Sequence, residues 1–380
     1  MKRLLLCACA VALLCGCKKK QAAHTVGLAL DVGGRGDQSF NDGALRGLES
    51  MAAGLRYTAR GYEPLPDAEY EKFELHPPHL GIPQPLVLSG KAQEDYEPNL
   101  QLLVDQGAEL VVAVGFMMEP AVRAVSARNP QTKFLLIDSP VLDAAGKPTT
   151  APNVRAVVFR ENEGSMLAGA LAGELTETGK IGFVGGMQLP LIRKFEVGFR
   201  AGARTVNPKV AVLVAYTGTF DDEKKGIEVG QDLYGRGCDI VFHGAGLDGL
   251  GVIKAAQQAG KLVIGVDSDQ SHVAPQNVLT SMVKHADLAV YLAVKDVLEG
   301  KFAGGDEMLG LKENGVGLVT PGKVGIPPDK LLASWEDAKR LGQAIISGKL
   351  QAPATLDELA KFAPPDPAAL GLARAVAARP

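Results

Sequence analysis

Short apolar runs alternate with longer amphipathic stretches from His24 to about Gly348, and this pattern leaves few folds open. Between the runs, apolar residues recur at helical spacing, as in 45–55 and 166–175. Strands that alternate with helices predict parallel sheets covered by helices on both faces, and these strands are too many for one small domain. The sequence therefore predicts an α/β protein. The predicted strands are 26–30, 110–114, 134–137, 154–159, 181–184, 210–215, 240–242 and 262–266.

The first 17 residues have the parts of a bacterial export signal. A basic start, Lys2-Arg3, precedes an apolar run that ends at Leu14, and Leu14-Cys15-Gly16-Cys17 follows. The run is too short to cross a bilayer core of ~30 Å as a helix. We therefore predict a signal peptide with a lipobox over 1–17, lipidation of Cys17, and an exported protein that only this anchor attaches to a membrane. The alternative is ordinary cleavage and full release.

Cysteine and charge content exclude two classes of protein. Four of the five cysteines lie in the first 17 residues, so Cys238 is alone in the mature chain and an intrachain disulfide is excluded. The formal net charge is −3, with no basic cluster beyond the lysines at 18–20, which argues against nucleic acid as a partner.

Two segments depart from the alternating pattern. Residues 57–93 contain six prolines and no sustained periodicity, which predicts an extended insertion with a short strand near 86–88. The C-terminal tail, 351–380, is rich in Ala and Pro. A helix is predicted there over 356–362, with little contribution to the core.

Several predicted strands end in Gly or in a polar residue. In open parallel sheets, ligands bind beyond the carboxyl ends of the strands, which predicts a binding site at this edge. The first strand leads into a Gly-rich turn, and we expect Ser39 or Asn41 to cap the helix that follows. These strand ends are Asp31, Gly115, Asp138, Gly185-Gly186, Gly244 and Asp267.

Known catalytic and cofactor-binding motifs do not fit the sequence. A dinucleotide fingerprint that begins at Gly34 would need glycine at position 39, which is Ser39. No P-loop and no nucleophile elbow occurs, and the six histidines lack the spacing of a zinc helix. The sequence therefore predicts a binding protein with no cofactor and no metal rather than an enzyme.

Ordered motifs along the chain resemble the basic membrane protein family, substrate-binding lipoproteins of ABC transporters similar to purine nucleoside receptors. The resemblance covers nearly the whole mature chain outside 57–93 and the tail. The motifs are VGLALD at 26–31, DQSFN at 37–41, YEPNL at 96–100, VGF at 114–116, FLLID at 134–138, LAGALAG at 167–173, GFVGG at 182–186, TGTFDD at 217–222, IGVDSDQ at 264–270 and TSMVK at 280–284.

The resemblance implies a type I periplasmic binding protein, in which two doubly wound α/β lobes are joined by a three-strand hinge and close around a ligand. On that basis we assign 24–156 plus 269–317 to the first lobe, which includes the 57–93 insertion. We assign 157–268 plus 318–350 to the second lobe.

The resemblance also implies a set of ligand-binding residues. Phe40 and Phe220 would stack on the two faces of a purine, and Asp31 and Asn41 would meet its polar edges. The alternative places both rings in the core. The implied set is Asp31, Phe40, Asn41, Phe116, Phe220, Asp267 and Lys284.

The resemblance implies that the last two residues of this set, Asp267 and Lys284, contact the sugar of the ligand. Asp267 would accept hydrogen bonds from ribose hydroxyls, and Lys284 would donate to the sugar or balance Asp267. The alternatives are that Asp267 caps the following turn and that Lys284 is a surface lysine. One position departs from the family: Pro120 stands where an acidic residue is expected, with Glu119 and Asp138 as candidates to replace it.

The implied function is capture of a nucleoside, a purine nucleoside in particular, for an ABC importer whose permease and ATPase are separate chains. Two alternatives stay open at this point. The first is a ligand-sensing lipoprotein that reports to a membrane signalling partner, and the second is a nucleoside hydrolase.

Overall fold

The computed structural model describes residues 24–58, 61–64 and 85–372. Its strands, in chain order, are β1 Val26–Leu30, β2 Leu55–Thr58, β3 Gly61–Pro64, β4 Leu86–Ser89, β5 Leu110–Val114, β6 Lys133–Ile137, β7 Val141–Leu142, β8 Pro148–Thr149, β9 Val154–Phe159, β10 Lys180–Gly185, β11 Ala211–Tyr216, β12 Ile240–Gly244, β13 Leu262–Asp267, β14 Val278–Lys284, β15 Gly305–Leu309 and β16 Val316–Leu318. The eight strands predicted from the sequence are therefore confirmed.

The α-helices of the described part follow the strands as the alternating pattern predicts. They are α1 Phe40–Ala52, α2 Tyr96–Asp105, α3 Glu119–Arg128, α4 Glu161–Leu175, α5 Pro190–Val206, α6 Glu223–Gly235, α7 Asp248–Ala259, α8 Ala286–Leu298, α9 Pro328–Ile346 and α10 Leu356–Lys361.

Twelve of these strands form two six-stranded sheets with the same spatial order, and β2-β3 and β7-β8 form two-stranded sheets. The first sheet runs β4-β1-β5-β6-β9-β15 and is parallel throughout. The second runs β11-β10-β12-β13-β14-β16, and only β16 in it is antiparallel. Counted from the same edge, β6 and β13 occupy equivalent places, so Asp138 after β6 and Asp267 at the end of β13 are equivalent residues.

Helices cover both faces of each sheet because alternate side chains of the strands point to opposite sides. Along β1, Val26, Leu28 and Leu30 pack with α1 and α8, whereas Ala29 packs with α2 and α3. In the second sheet, α4 and α5 cover one face and α6 and α7 the other. The predicted architecture of two doubly wound lobes is confirmed.

The chain passes between the two sheets three times. The passages lie between Phe159 and Glu161, between Lys284 and Ala286, and between Leu309 and Val316. The lobes predicted from the sequence change at 156/157 and at 268/269, but β9 continues to Phe159 in the first sheet and β14 pairs with β13 in the second. The 278–284 segment therefore belongs to the second sheet. Strand pairing depends on segments that are distant in the sequence, so the local pattern did not assign this segment.

The structure describes the start and the end of the Pro-rich segment. β2 and β3 form an antiparallel hairpin, and the short strand predicted near 86–88 is β4, which pairs with β1 at the edge of the first sheet. The main sheet therefore resumes before residue 93, and residues 65–84 lie outside the described part. The predicted signal peptide with its lipobox, 1–17, also lies outside it, as do residues 18–23.

The start of the C-terminal tail contributes to the core, contrary to the expectation from its composition. Ala352, Leu359 and Leu372 are buried against α4, α5 and α9. The helix predicted over 356–362 is present as α10, and the Thr355 side chain caps it. Within the described residues, no helix has both the length and the apolarity needed to span a bilayer.

Candidate functional site

A cleft lies where the carboxyl ends of the strands of both sheets meet. The space between its atoms, open mouth included, is about 540 Å³. All seven residues selected from the sequence line it: Asp31, Phe40, Asn41, Phe116, Phe220, Asp267 and Lys284. Their contact with a ligand stays a prediction, but the structure brings them together.

The cleft also contains residues outside the implied ligand-binding set. Asp37 and Asp138 add two carboxylates, and the first turns of α5 add an apolar wall of Leu191, Ile192 and Phe195. The sequence contained one signal for this wall. The helix α5 follows Gly185-Gly186 at the end of β10, and a helix that follows a strand end begins at the ligand edge of the sheet.

The Gly-rich turn of the first lobe is held together by Asp37. Its Oδ1 accepts hydrogen bonds from the backbone N–H groups of Ser39 and Asp42, at 3.0 and 3.1 Å, and its Oδ2 accepts that of Asn41 at 2.8 Å. The expectation that Ser39 or Asn41 caps α1 is therefore wrong. Asp37 is the acceptor for these first-turn donors, and the Ser39 side chain makes no cap hydrogen bond.

Asn41 fixes Asp31 beside the cleft. Its Nδ2 donates to Asp31 Oδ1 at 2.8 Å and to Asp37 Oδ2 at 3.1 Å, and its Oδ1 accepts the Asp31 backbone N–H at 3.3 Å. Both amide hydrogens of Asn41 are thus engaged within the protein. Asn41 therefore positions Asp31 and can offer a ligand only the remaining capacity of its oxygen.

The backbone at Gly115 lies close to Oδ2, the other carboxylate oxygen of Asp31. A side chain at Gly115, where φ is +116°, would place its Cβ 2.8 Å from Asp31 Oδ2, so glycine is required there. Burial raises the pKa of Asp31 to about 6, although the hydrogen bonds from Asn41 and Gly33 oppose the shift. Asp31 is thus a carboxyl group on which a hydrogen-bond donor of a ligand would stabilise the charge.

A buried ion pair joins the two lobes across the cleft. Lys284, at the end of β14, donates from Nζ to Oδ2 of Asp138 at 2.6 Å, and Nζ lies 3.9 Å from Asp267 Oδ1. Lys284 is 5% exposed, so the alternative of a surface lysine is wrong. Burial opposes the charged form, but Asp138, Asp267 and Glu161 outweigh it and raise the Lys284 pKa above its usual range.

The two carboxylates around Lys284 share an unusual backbone conformation. Asp138 and Asp267 have φ values of 74° and 63°, the left-handed region that side-chain-bearing residues rarely adopt. Such residues cost of order 1–3 kcal/mol each and concentrate at functional sites. Oδ1 of each residue is buried and has no hydrogen-bond partner among the described residues. Each lobe therefore presents one unpaired acceptor at this edge.

Asp267 is held by a residue of the other lobe. Ser39 Oγ donates to Asp267 Oδ2 at 2.6 Å, so the carboxylate bonds across the cleft rather than capping the turn after β13. Burial raises the pKa of Asp267 to about 6, although Lys284 and Ser39 both oppose the shift. One oxygen of the carboxylate is thus occupied and the other is not.

Three phenylalanines besides Phe195 line the cleft near these charges. The Lys284 ammonium lies 4.4 Å from the ring centroid of Phe40, a cation–π contact that covers one face of that ring. The Phe116 and Phe220 rings meet edge to face, with centroids 6.5 Å apart. Phe40 and Phe220 also pack against the core, so the two alternatives for these rings are not exclusive.

The Phe220 ring fits in its position because the residue packed against it, Gly186, has no side chain. A Cβ on Gly186 would lie 2.2 Å from the Phe220 ring, and the Phe220 carbonyl accepts the backbone N–H of Leu247 at 3.0 Å. The two candidates to replace the missing family acid lie in different places. Asp138 lines the cleft, whereas Glu119 accepts the Leu142 N–H at 2.9 Å and is absent from the lining.

Metal and thiol chemistry find no support in the described part of the chain. There, no group of three or more His, Cys, Asp or Glu side chains is arranged to hold a metal ion. Cys238 is buried, and burial raises its thiol pKa to about 11, which disfavours the reactive thiolate.

Comparison with known proteins assigns the chain to a family. Residues 24–355 match the Bmp model, described as ABC transporter substrate-binding protein PnrA-like. Basic membrane protein A of Borreliella afzelii is 33% identical over 287 residues, which cover 74% of this chain and 79% of that protein. The ABC transporter nucleoside-binding protein BmpA of Lactococcus lactis subsp. cremoris is 31% identical, with 81% of this chain and 87% of that protein covered.

A solved structure agrees with the sequence matches. An ABC transporter system solute-binding protein from Aeropyrum pernix K1 aligns with a TM-score of 0.72 at 29% identity, over 89% of this chain and 96% of that one. The family is one of substrate-binding proteins rather than enzymes, and the hydrolase alternative falls with that assignment. The chain belongs to the Bmp family of PnrA-like ABC transporter substrate-binding proteins.

Proposed function

We propose that the cleft binds a nucleoside, a purine nucleoside in particular, and that the protein delivers it to an ABC importer. The observation that carries the proposal is the convergence, from both lobes, of aromatic rings and buried unpaired carboxylate oxygens on one cleft. A nucleoside has a flat apolar base and a sugar with adjacent hydroxyl donors, which matches this combination. The Lactococcus relative, an ABC transporter nucleoside-binding protein, supports it.

The aromatic residues suit the base. In this proposal the face of Phe40 opposite Lys284 and the ring of Phe220 contact the two faces of the base, with Phe116 at its edge. Ring–base stacking is worth ~1–3 kcal/mol per base. Asp31 accepts hydrogen bonds from N–H groups on the base edge, and Asn41 holds it in place.

The charges in the cleft favour a neutral ligand. Lys284 is the cation among the lining residues, and Asp138 already pairs with it at 2.6 Å. A phosphate would therefore meet carboxylates without a free cation to balance it, and burying an unpaired charge is costly. This arrangement supports nucleosides over nucleotides as ligands.

Calorimetry on the mature protein, stripped of ligand by unfolding and refolding, tests the proposal. We expect one site per chain, tight binding of inosine or guanosine, and at least ~100-fold weaker binding of the corresponding 5′-monophosphates. Binding of none of a panel of purine and pyrimidine nucleosides would refute the proposal. Tight binding of the monophosphates would refute the charge argument alone.

The proposed anchor is a diacylglyceryl group on Cys17. Two membrane signals are usually needed for stable attachment, and several acyl chains on one cysteine meet that need. Cys17→Ser should move the protein from the membrane fraction to the soluble exported fraction. Mass spectrometry that shows an unmodified mature N-terminus in the wild type would rule the anchor out.

The proposed partners are the permease and ATPase chains of an importer, which supply the channel and the ATP hydrolysis. Deletion of the gene should abolish uptake of labelled inosine at low external concentration, and the wild-type gene should restore it. Unchanged uptake, together with a changed transcriptional response to inosine, would instead favour the sensing alternative.

A further inference from the structure

Ser39 contacts the ligand edge of the second lobe without lining the cleft itself. We infer that Ser39 is a positioning residue that orients the Asp267 carboxylate and thereby sets the preference for a ligand with a ribose diol. The inference rests on the proposed function, because it takes Asp267 as the group that meets the sugar.

The Ser39 hydroxyl is free to contact Asp267 because Asp37, not Ser39, caps the start of α1. Serine at the start of a helix normally accepts a hydrogen bond from a first-turn backbone N–H. Here Asp37 accepts the N–H groups of Asn41 and Asp42, at 2.8 and 3.1 Å, so the cap does not need the Ser39 hydroxyl. That hydroxyl instead donates across the lobes to Asp267 Oδ2 at 2.6 Å.

The backbone N–H and the backbone carbonyl of Ser39 are both hydrogen-bonded. Its backbone N–H donates to Asp37 Oδ1 at 3.0 Å, and its carbonyl accepts the Ser268 hydroxyl at 3.0 Å. The residue is fully buried, with 0% of its surface exposed. A hydroxyl on so constrained a backbone can dictate the rotation of the carboxylate to which it donates.

The consequence for Asp267 is an asymmetric carboxylate. Oδ2 is taken by Ser39, whereas Oδ1 is buried without a hydrogen-bond partner among the described residues and lies 3.9 Å from Lys284 Nζ. Without the Ser39 hydroxyl, the carboxylate can turn toward the ammonium and pair with it directly. The oxygen that would meet a ribose hydroxyl would then be occupied by Lys284.

Three variants separate this role from a general loosening of the contact between the lobes. Ser39→Ala removes the bond to Asp267. Ser268→Ala is the matched control, because it removes a hydroxyl from the same inter-lobe contact that donates to the Ser39 carbonyl and not to Asp267. Ser39→Ala in an Asp267→Ala background tests whether Ser39 acts through Asp267.

The readout is the ratio of affinities for inosine and 2′,3′-dideoxyinosine, measured by calorimetry with the full mature chain. We expect Ser39→Ala to lower this ratio about tenfold, Ser268→Ala to leave it within about twofold, and Ser39→Ala to have no further effect when Asp267 is already alanine. If Ser39→Ala does not fold, Ser39→Cys carries the test, since a thiol keeps the size and is a weaker donor.

Two results would overturn the inference. One is an unchanged ratio in Ser39→Ala, including the case in which both ligands weaken equally. The other is a lowered ratio that persists in the Asp267→Ala background. A wild-type protein that binds no nucleoside would refute the proposed function instead, so the two failures are distinguishable.

Discussion

Asp138 and Asp267 stand at equivalent strand ends of the two lobes, share a left-handed backbone, and lie beside the same ammonium group. Their partners differ. Asp138 forms the direct ion pair with Lys284 at 2.6 Å, whereas Asp267 is 3.9 Å from Lys284 and is held by Ser39. The two lobes thus contain carboxylates at equivalent positions, and these carboxylates have different partners.

The difference indicates how the cleft combines stability with binding. Lys284 forms its short ion pair with the first-lobe carboxylate and so joins the lobes, whereas the second-lobe carboxylate has a longer contact of 3.9 Å with the same ammonium. Burial then keeps the pKa of Asp267 raised at about 6. A ligand that donates hydrogen bonds to Asp267 provides the donor that Oδ1 lacks in the protein. We therefore expect Asp138 to contribute mainly to stability and Asp267 mainly to binding.

The largest expected effect comes from removing the shared cation. Lys284→Met leaves Asp138 and Asp267 buried without their partner, which typically destabilises a protein by ~3–5 kcal/mol. Chemical unfolding of the ligand-free protein at neutral pH measures the change. Lys254→Met is the control, because Lys254 and Glu223 form an exposed pair worth at most ~1 kcal/mol. Equal losses in the two variants would remove Lys284 from its central place.

The next effect concerns the second-lobe carboxylate alone. The wild type should prefer inosine over 2′,3′-dideoxyinosine and free hypoxanthine by ~100-fold or more, and Asp267→Ala should lose most of that preference. The reason is that a charged acceptor contributes ~1.5–3 kcal/mol per hydrogen bond. Calorimetry with the three ligands decides the matter. Equal binding of base and nucleoside by the wild type would defeat this role of Asp267.

A third effect tests whether the first-lobe acceptor Asp31 costs stability in the absence of ligand. Its pKa is about 6 in the folded state against 3.8 for an exposed group, so the folded state binds more protons between these values. Stability should therefore fall as pH rises from about 4 to 6 and then level off. Asp31→Asn should remove this contribution and stabilise the ligand-free protein by ~1–3 kcal/mol at pH 7.5.

Unfolding of the wild type and of Asp31→Asn at pH 4.5, 6 and 7.5 gives the measurement. The two curves should converge toward low pH, where Asp31 is protonated in the folded protein. A variant that is less stable than the wild type at pH 7.5 would show that the ionised carboxylate stabilises the lobe. The same variant should bind inosine more weakly.

The smallest effect compares the aromatic residues of the two lobes. Phe40→Ala and Phe220→Ala should each weaken nucleoside binding by ~10-fold or more, with little change in the melting temperature of the ligand-free protein. Phe40 carries the Lys284 ammonium on one face, so its loss should also weaken the preference for neutral ligands. A large loss of stability with unchanged affinity would assign these rings to the core alone.

Much of the fold and of the cleft was predictable from the sequence because both depend on local patterns. Apolar periodicity predicted the strands, and the residues at their ends predicted which edge carries the site. Pairing depends on distant segments, so the assignment of β14 to the second sheet could not be predicted from 278–284 alone. The choice of helix cap, Asp37 instead of Ser39, depends on the folded turn and was missed for the same reason.

The tail shows a different limit of sequence reasoning. Its composition suggested a peripheral segment, yet Ala352 and Leu359 fill a groove that α4, α5 and α9 create only after they pack. Likewise, the ion pair of Lys284 with Asp138 joins residues 146 positions apart and depends on the approach of the two lobes. Neither contact has a signal within a short stretch of sequence.

The identity of the small molecule that accompanies the protein tests the central claim most directly. The mature protein would be purified without a refolding step, and its bound ligand would be examined by native mass spectrometry and then released and identified. The account predicts one purine nucleoside per chain in the wild type and a loss of that ligand in Asp267→Ala. A ligand without a ribose diol, or a nucleoside retained equally by both proteins, would contradict it.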